Sequence, residues 1–300
     1  AGSSASNRIV IQAAVGKDEM VVVDRNCHKS LNHAMTLAGS RPVYFQPSRN
    51  GYGMIGLIPP KRFTKEHISK LVKDSPLTAD AKSTEAVHAA VTNPTYDGIL
   101  YNVDAIKEML DTRIDTLHFD EAWLPHATFH DFYRGMHAIG KDRPRSKDAL
   151  IFSTQSTHKL LAGLSQASQI LVQYSETRQL DRHRFNEAYL MHTSTSPQYS
   201  IIASCDVAAA MMEPPGGTAL VQESIMEALD FRRAMRKIDN EWGKDWWFKV
   251  WGPERLAPEG IGSREDWILR SSEKWHGFGN LVTGFNMLDP IKATVITPGL

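Results

Sequence analysis

Four short stretches of the sequence carry a lysine, an acid, a histidine and groups of hydroxyls, which together are suited to amine and carbonyl chemistry. Lys159 lies in STQSTHKLLAGLSQAS (153–168), behind several hydroxyl residues and a histidine. A lysine amine attacks carbonyl carbons when burial or a nearby positive charge favours its neutral form. A lysine at the start of an amphipathic helix otherwise extends its ammonium into water, so Lys159 needs support from the rest of the chain.

The other residue types match what one cofactor requires. Pyridoxal 5′-phosphate needs an amine to form a Schiff base, an acid to keep its ring nitrogen protonated, a flat group on the ring face and donors for its phosphate. Asp120, at the end of DTLHFD, is the candidate acid, and His28 is the candidate flat group. Each has an ordinary alternative, because a strand-end aspartate often caps a turn and a single histidine often has a structural role.

Hydroxyl groups in two places are candidate phosphate donors. The stretch GSSASN (2–7), which contains Ser3 and Ser4, precedes the apolar periodic run IVIQAAV. Serines at the start of a helix serve as N-caps, but exposed N–H groups and hydroxyls at such a start also bind phosphate. Ser156 and His158 are placed to contact the phosphate from the other side.

The pattern of strands and helices indicates how these residues are brought together. Strand-like and helix-like segments alternate through the first half, which predicts an α/β fold with a mostly parallel sheet covered by helices. The predicted strands are 19–24, 41–47, 85–93, 115–123 and 149–155, and the predicted helices are 28–39, 64–74 and 103–112. Ligands bind beyond the carboxyl ends of such strands, so the residues of interest are 24–28, 92–97, 120–123 and 153–159.

The later half of the chain is more helical. Helical periodicity covers 182–192, 196–212 and 218–242, and from about Trp246 the chain becomes rich in aromatic residues and loops. We therefore predict a large cofactor-binding domain over residues 1–245 and the beginning of a smaller α+β C-terminal domain at 246–300. The chain opens without methionine and closes in a strand-like run, which predicts a piece of a longer polypeptide.

Composition favours a small-molecule substrate over a charged polymer or a membrane. The 34 basic and 34 acidic residues balance, so no strong global charge attracts nucleic acid or anionic lipid. The two cysteines, with no signal peptide or membrane-length apolar run, predict reduced thiols in a cytoplasmic protein. His118, His126 and His130 lack the spacing of a metal site, and we predict no metal.

Seven motifs, taken in order, resemble the bacterial basic amino acid decarboxylases. These are the pyridoxal-phosphate-dependent lysine, arginine and ornithine decarboxylases, which have the aspartate-aminotransferase fold (fold type I), and the resemblance leads us to expect an enzyme of the inducible lysine decarboxylase type. The motifs are VVDRNCHKS (22–30), VTNPTYDGILYN (91–102), HFDEAW (118–123), STQSTHKLLAGLSQAS (153–168), HTSTSPQYSIIAS (192–204), WHGF (275–278) and LDPIKATVITPG (288–299).

The resemblance implies a role for each candidate residue. Lys159 resembles the Schiff-base lysine, Asp120 the partner of the ring nitrogen and His28 the ring-stacking histidine. Trp123 matches a residue that lines the cofactor pocket, and the phosphate contacts correspond to Ser3, Ser4, Ser156 and His158. Ser194 matches a hydroxyl that reaches the phosphate from the neighbouring subunit, which implies a homodimer with a shared active site. The resemblance is also compatible with a higher oligomer of the full-length protein. Ala5 departs from the hydroxyl residue of several relatives.

The implied reaction is decarboxylation of L-lysine to cadaverine and carbon dioxide, with Lys159 or His158 returning a proton to the α-carbon. Arginine (giving agmatine) and ornithine (giving putrescine) remain alternative substrates. Because the reaction consumes a proton, it suits acid resistance or polyamine supply. Two other readings stay open: another fold-type-I enzyme, such as an aminotransferase, and an inactive fragment that binds partner subunits.

Overall fold

The computed structural model describes residues 2–141 and 143–297. Asp142 of the KDRPRSK loop and the last two residues of the motif LDPIKATVITPG lie outside the described residues. The helices are α1 (Gly2–Ala14), α2 (Lys29–Ala38), α3 (Lys65–Asp74), α4 (Val103–Leu110), α5 (Thr157–Leu160), α6 (Arg182–His192), α7 (Tyr199–Met211) and α8 (Gly216–Trp242). The strands are β1 (Met20–Asp24), β2 (Arg41–Phe45), β3 (Ala86–Thr92), β4 (Ile99–Tyr101), β5 (Thr116–Asp120), β6 (Leu150–Gln155), β7 (Gln169–Gln173), β8 (Lys249–Val250), β9 (Asn286–Leu288) and β10 (Val295–Ile296).

A six-stranded sheet forms the centre of the fold, in the order β2-β1-β3-β5-β6-β7. Neighbouring strands from β2 to β6 run parallel, which confirms the predicted α/β fold with a mostly parallel sheet. β7 pairs antiparallel with β6 and was not predicted. The strand order reverses at β1, so the crevice between the carboxyl ends of β1 and β3 is the expected ligand site.

Both faces of the sheet are buried, as the continuous apolar strand MVVVD requires. Val21 and Val23 point to one face, where they pack with apolar residues of α1 and α2. Met20 and Val22 point to the other face and join the largest core cluster, to which α4 and α8 contribute. Gly39 ends α2 with a φ of 65°, a left-handed conformation that favours glycine.

The segment after α8 packs against the sheet-containing part of the chain. β9 pairs antiparallel with β4, and Trp251, Trp267 and Met287 belong to the same large core cluster as the strands. The division into a domain of residues 1–245 and a smaller one beginning at 246 stays a prediction. Within the described residues, none of the helices is long and apolar enough to cross a membrane.

Candidate active site

A cleft of about 590 Å³ lies at the carboxyl ends of β1, β3, β5 and β6, a size typical of small-ligand sites. Strand ends bring its residues together, although they are far apart in the sequence. Its lining includes every predicted site residue except Ser194: Ser3, Ser4, His28, Asp120, Trp123, Ser156, His158 and Lys159. Gly2, Asn26, Thr92, Pro94, Tyr96, Ala122, Ser165 and Gln166 also line it, and none of them was among the predicted site residues.

The first turn of α1 forms one end of the cleft. The helix begins at Gly2, so Ser3 and Ser4 lie inside its first turn, where backbone N–H groups have no partner within the helix. The Ser156 hydroxyl, which is fully buried, donates a hydrogen bond to Ser3 Oγ at 2.7 Å. Hydroxyls from two elements therefore meet at the positive end of a 13-residue helix, an arrangement that suits a phosphate.

Asp120 is the buried acid of the site, with 4% of its surface exposed. Its Oδ2 accepts a hydrogen bond from Asn7 Nδ2 at 2.9 Å, and its Oδ1 accepts one from the Ala122 N–H at 3.3 Å. Desolvation raises the pKa of Asp120, whereas Asn7, the Ala122 N–H, His28 and Lys159 oppose that rise. A buried carboxylate held in this way is suited to pair with a protonated ring nitrogen.

Asn7 links the acid to the histidine, and sequence reasoning missed it. Its amide nitrogen also donates to Ser30 Oγ at 2.9 Å, and its Oδ1 accepts from the Thr154 hydroxyl at 2.7 Å. Ser30 Oγ lies 2.8 Å from His28 Nδ1, which also accepts the Ser30 N–H and so caps α2. Because Nδ1 is an acceptor in this network, the proton of a neutral His28 lies on Nε2.

Lys159 lies in the short helix α5, directly after β6. Its side chain is half-buried, and desolvation lowers the pKa of its amine while Asp120 acts in the opposite direction. The neighbouring His158 donates from Nδ1 to the Ala167 carbonyl at 2.6 Å, so Nε2 is the ring nitrogen left for proton exchange. The structure thus places a deprotonation-prone amine and an oriented imidazole in one cleft.

The indole ring of Trp123 contacts two lysine side chains. The Lys159 Nζ is 4.3 Å from the centre of the Trp123 ring, and the Lys292 Nζ is also 4.3 Å from it. Tyr96 packs edge-on against the same indole, with ring centres 6.3 Å apart. Sequence reasoning missed Lys292, although it is part of the LDPIKATVITPG motif.

Ser194 lies apart from the cleft. It is an exposed residue in the connection between α6 and α7, where its Oγ accepts the N–H of Ser196. Its predicted role, which depends on a neighbouring subunit, stays a prediction. His118 bonds to Thr154 and His130 to Gln222, and among the described residues no group of three or more His, Cys, Asp or Glu side chains has metal-site geometry.

Comparison with known proteins identifies relatives over the whole chain. The family model for Orn/Lys/Arg decarboxylase, major domain, matches residues 1–300. Lysine decarboxylase LdcA of Pseudomonas aeruginosa is 49% identical, the inducible lysine decarboxylase of Escherichia coli 44% and the biodegradative arginine decarboxylase of Escherichia coli 41%. Each alignment covers 100% of this chain and, in the same order, 40%, 39% and 42% of the relative. The chain thus spans about two fifths of the length of these curated relatives.

Solved structures agree with the sequence matches. Lysine decarboxylase A from Pseudomonas aeruginosa superposes with a TM-score of 0.91 at 49% identity, covering 100% of this chain and 40% of that one. Cystalysin from Treponema denticola, which contains pyridoxal 5′-phosphate, superposes with a TM-score of 0.51 at 11% identity, covering 83% of this chain and 57% of that one, and so supports the fold alone. With a family match over all 300 residues, the chain belongs to the Orn/Lys/Arg decarboxylase family and carries its major domain.

Proposed function

We propose that the protein decarboxylates a basic L-amino acid, with L-lysine as the preferred substrate and cadaverine and carbon dioxide as products. The observation that carries this proposal is the convergence of Lys159, Asp120 and His28 with serine hydroxyls in one cleft, in a member of this family. We assign lysine rather than arginine because lysine decarboxylase LdcA (49% identical) and the inducible lysine decarboxylase (44%) exceed the arginine decarboxylase (41%), whereas the constitutive lysine decarboxylase (40%) falls below it.

The residues present fit pyridoxal 5′-phosphate. Ser3, Ser4 and Ser156 would hold the phosphate at the start of α1, with His158 beside them, and Asp120 would pair with the ring nitrogen. The Lys159 amine would bind the aldehyde carbon, while His28 and Trp123 would flank the ring. The buried, hydrogen-bonded carboxyl group of Asp120 and the Ser156–Ser3 hydroxyl pair, both in the lining of one cleft, support this assignment.

When bound, pyridoxal 5′-phosphate supplies a conjugated ring that accepts the electron pair released as the α-carboxylate leaves. The chain's own residues position the reactants and move protons. Asp120, fixed by Asn7, is a buried carboxyl group in the cleft, and a positively charged ring nitrogen beside it would favour its ionised form. Lys159 Nζ or His158 Nε2 returns a proton to the α-carbon, since both side chains line the cleft.

We further propose a cytoplasmic homodimer in which Ser194 reaches the partner's site. Ser194 joins α6 to α7, two helices that carry exposed apolar side chains, and this supports a subunit contact there. Proton consumption during turnover suits a role in acid stress or polyamine supply.

The test supplies purified protein with pyridoxal 5′-phosphate and an equimolar mixture of lysine, arginine and ornithine, and identifies the amines by mass spectrometry. Cadaverine in excess, absent from a Lys159→Ala control, is the expected result. Dominant agmatine or putrescine would overturn the substrate assignment, and no amine from protein that holds the cofactor would overturn the decarboxylase proposal.

A further inference from the structure

A buried network of four side chains leads from the middle of the sheet to the acid of the cleft. His118 in β5 and Thr154 in β6 belong to neighbouring strands, and His118 Nε2 lies 3.0 Å from Thr154 Oγ. The Thr154 hydroxyl donates to Asn7 Oδ1 at 2.7 Å, and Asn7 Nδ2 donates to Asp120 Oδ2 at 2.9 Å. None of the four residues is more than 4% exposed. Hydrogen bonds in such a dry setting are costly to break.

The donors of the buried network all point toward Asp120. Thr154 has a single hydroxyl hydrogen and gives it to Asn7, so His118 must supply the hydrogen between its Nε2 and Thr154 Oγ. A neutral His118 therefore carries its proton on Nε2. Its Nδ1 is then a bare acceptor, and it has no hydrogen-bond partner among the described residues. Because burial lowers the pKa of His118 well below its ordinary value, the neutral ring is the form present near pH 7.

The Thr154 hydroxyl determines which way the Asn7 amide faces. An amide group has one accepting oxygen and one donating nitrogen, and Thr154 occupies the oxygen of Asn7. The nitrogen faces the other way, where its hydrogens reach Asp120 Oδ2 and Ser30 Oγ, both at 2.9 Å. A reversed amide would place its oxygen against the Asp120 carboxyl group and would leave the Thr154 hydroxyl without an acceptor. Thr154 therefore keeps an N–H donor on Asp120.

We propose that Thr154, held by His118, is a positioning residue that fixes the Asn7 amide as a donor to Asp120 and so favours the ionised acid that pairs with the ring nitrogen of the cofactor. This inference rests on the proposed function, which gives Asp120 that partner. A hydrogen bond to the charged form of a buried acid stabilises that form. Desolvation raises the pKa of Asp120, and the Asn7 hydrogen bond is the strongest of the influences that oppose it.

Other titratable groups also surround Asp120. Lys159 of α5 and His28 before α2 favour the ionised form of Asp120. Asp120 in turn acts on Asp24 at the end of β1 and on Cys27, whose pKa values it helps to raise. These groups stay in place when a member of the buried network is substituted, so a changed preference of Asp120 for a ring nitrogen is traced to the network.

The test lets pyridoxal 5′-phosphate compete with its 1-deaza analogue, in which a CH group replaces the ring nitrogen. The protein is equilibrated at pH 7 with an excess of an equimolar mixture, borohydride fixes the bound molecules, and peptide masses give the bound ratio. Both compounds have the same aldehyde and phosphate, so the ratio reports the pairing with Asp120. Wild-type protein is expected to prefer pyridoxal 5′-phosphate. Asn7→Leu, which has the same branched shape without a donor, and Thr154→Val, which lacks the hydroxyl, are each expected to lower that preference by about three- to tenfold.

Two controls separate positioning from packing. Thr154→Ser keeps the hydroxyl and is expected to keep the wild-type ratio. Thr116→Val is the matched control, because Thr116 is another buried hydroxyl of the same sheet, 2.6 Å from Nδ1 of His88, and its recorded hydrogen bonds go to His88 and the Val87 carbonyl.

Lost packing alone would weaken the binding of both compounds and leave the bound ratio unchanged. A wild-type ratio in Asn7→Leu and Thr154→Val would therefore overturn the inference and leave the proposed function standing, and either variant decides if the other does not fold. Wild-type protein with no preference would overturn the inference together with the role of Asp120. Wild-type protein that binds neither compound would overturn the proposed function.

Discussion

Burial at the carboxyl end of β1 alters the acid–base behaviour of Asp24. The side chain has 1% of its surface exposed, accepts the Asn26 N–H at 2.8 Å and lies near Asp120. Desolvation, the largest influence, raises its pKa from 3.8 to about 7, with a further contribution from the charge of Asp120.

The raised pKa of Asp24 predicts a stability that depends on pH. Between about pH 4 and pH 7 the folded protein binds the proton more tightly than the unfolded chain, so this group's contribution to stability falls as pH rises through that window. Wild-type protein is expected to lose unfolding free energy between pH 5 and pH 8 as Asp24 ionises. Asp24→Asn cannot ionise at this position, so its loss over the same range is expected to be smaller by on the order of 2 kcal/mol. Urea denaturation at pH 5 and pH 8 measures the free energy of unfolding of each protein, and Asp206→Asn, at an exposed aspartate, is the control. An unchanged pH dependence would contradict the assignment.

For single site residues, the sequence predicts the chemical type of a side chain better than the contacts that support it. Lys159, Asp120 and His28 follow predicted strands, and the rule for parallel sheets places them at one edge. Asn7 was missed because its contact with Asp120 spans 113 positions, and no local pattern records it. Lys292 was missed for the same reason, since only the folded chain brings it to Trp123.

The loop after β2 packs closely against the segment around WHGF (275–278). A Cβ on Gly56 would lie 2.1 Å from the Phe278 ring, and Phe278 is 7% exposed within the large core cluster. Gly56 also donates its N–H to the Ser48 carbonyl at 2.8 Å, which fixes the backbone at this contact. The absence of a side chain at position 56 is therefore a packing requirement.

Gly56→Ala is expected to destabilise the protein by about 1–3 kcal/mol, because the new methyl group overlaps a buried ring that has little space to move. Gly279→Ala is the matched control, since a Cβ at Gly279 meets nothing within 4 Å, and its effect is expected to stay within about 0.5 kcal/mol. Chemical denaturation compares the two variants. Equal stabilities would show that the Phe278 ring adjusts without cost.

The elements themselves were predictable where periodicity and end signals agree. The strand MVVVD and the helix that ends at Gly39 follow continuous apolar residues and a glycine stop, and both were found as predicted. β4 and β7 were missed. β4 has only three residues, too few to show periodicity, and the five residues QILVQ of β7 are all partly buried, so buried and exposed positions do not alternate along it. Their partners β9 and β6 determine their conformation, and pairing partners are not encoded locally.

Helices α6 and α7 expose several large apolar side chains to solvent. Large exposed side chains of these helices are Tyr189, Leu190, Met191, Tyr199, Ile202, Val207 and Met211. Large apolar side chains exposed in groups mark protein contact sites. The exposed apolar residues of α6 and α7 therefore support the proposed homodimer, with Ser194 in the connection between the two helices.

Ile202→Glu is expected to weaken the dimer at least tenfold, since a charge placed in an apolar contact loses its hydration. Sedimentation velocity measures the dimer fraction over a range of protein concentrations. Val282→Glu is the control, because both side chains are 55% exposed and Val282 lies outside α6 and α7, in the loop before β9. Equal dimer fractions for the two variants would place the subunit contact elsewhere.

The proposed function depends above all on Lys159 as the amine that binds the cofactor. The direct measurement adds pyridoxal 5′-phosphate to the protein, reduces the adduct with borohydride and locates the added mass by peptide sequencing. We predict the added mass on Lys159 at one equivalent per chain, and its loss in Lys159→Ala. Stoichiometric labelling of Lys292 or another lysine in place of Lys159 would contradict the account of this site.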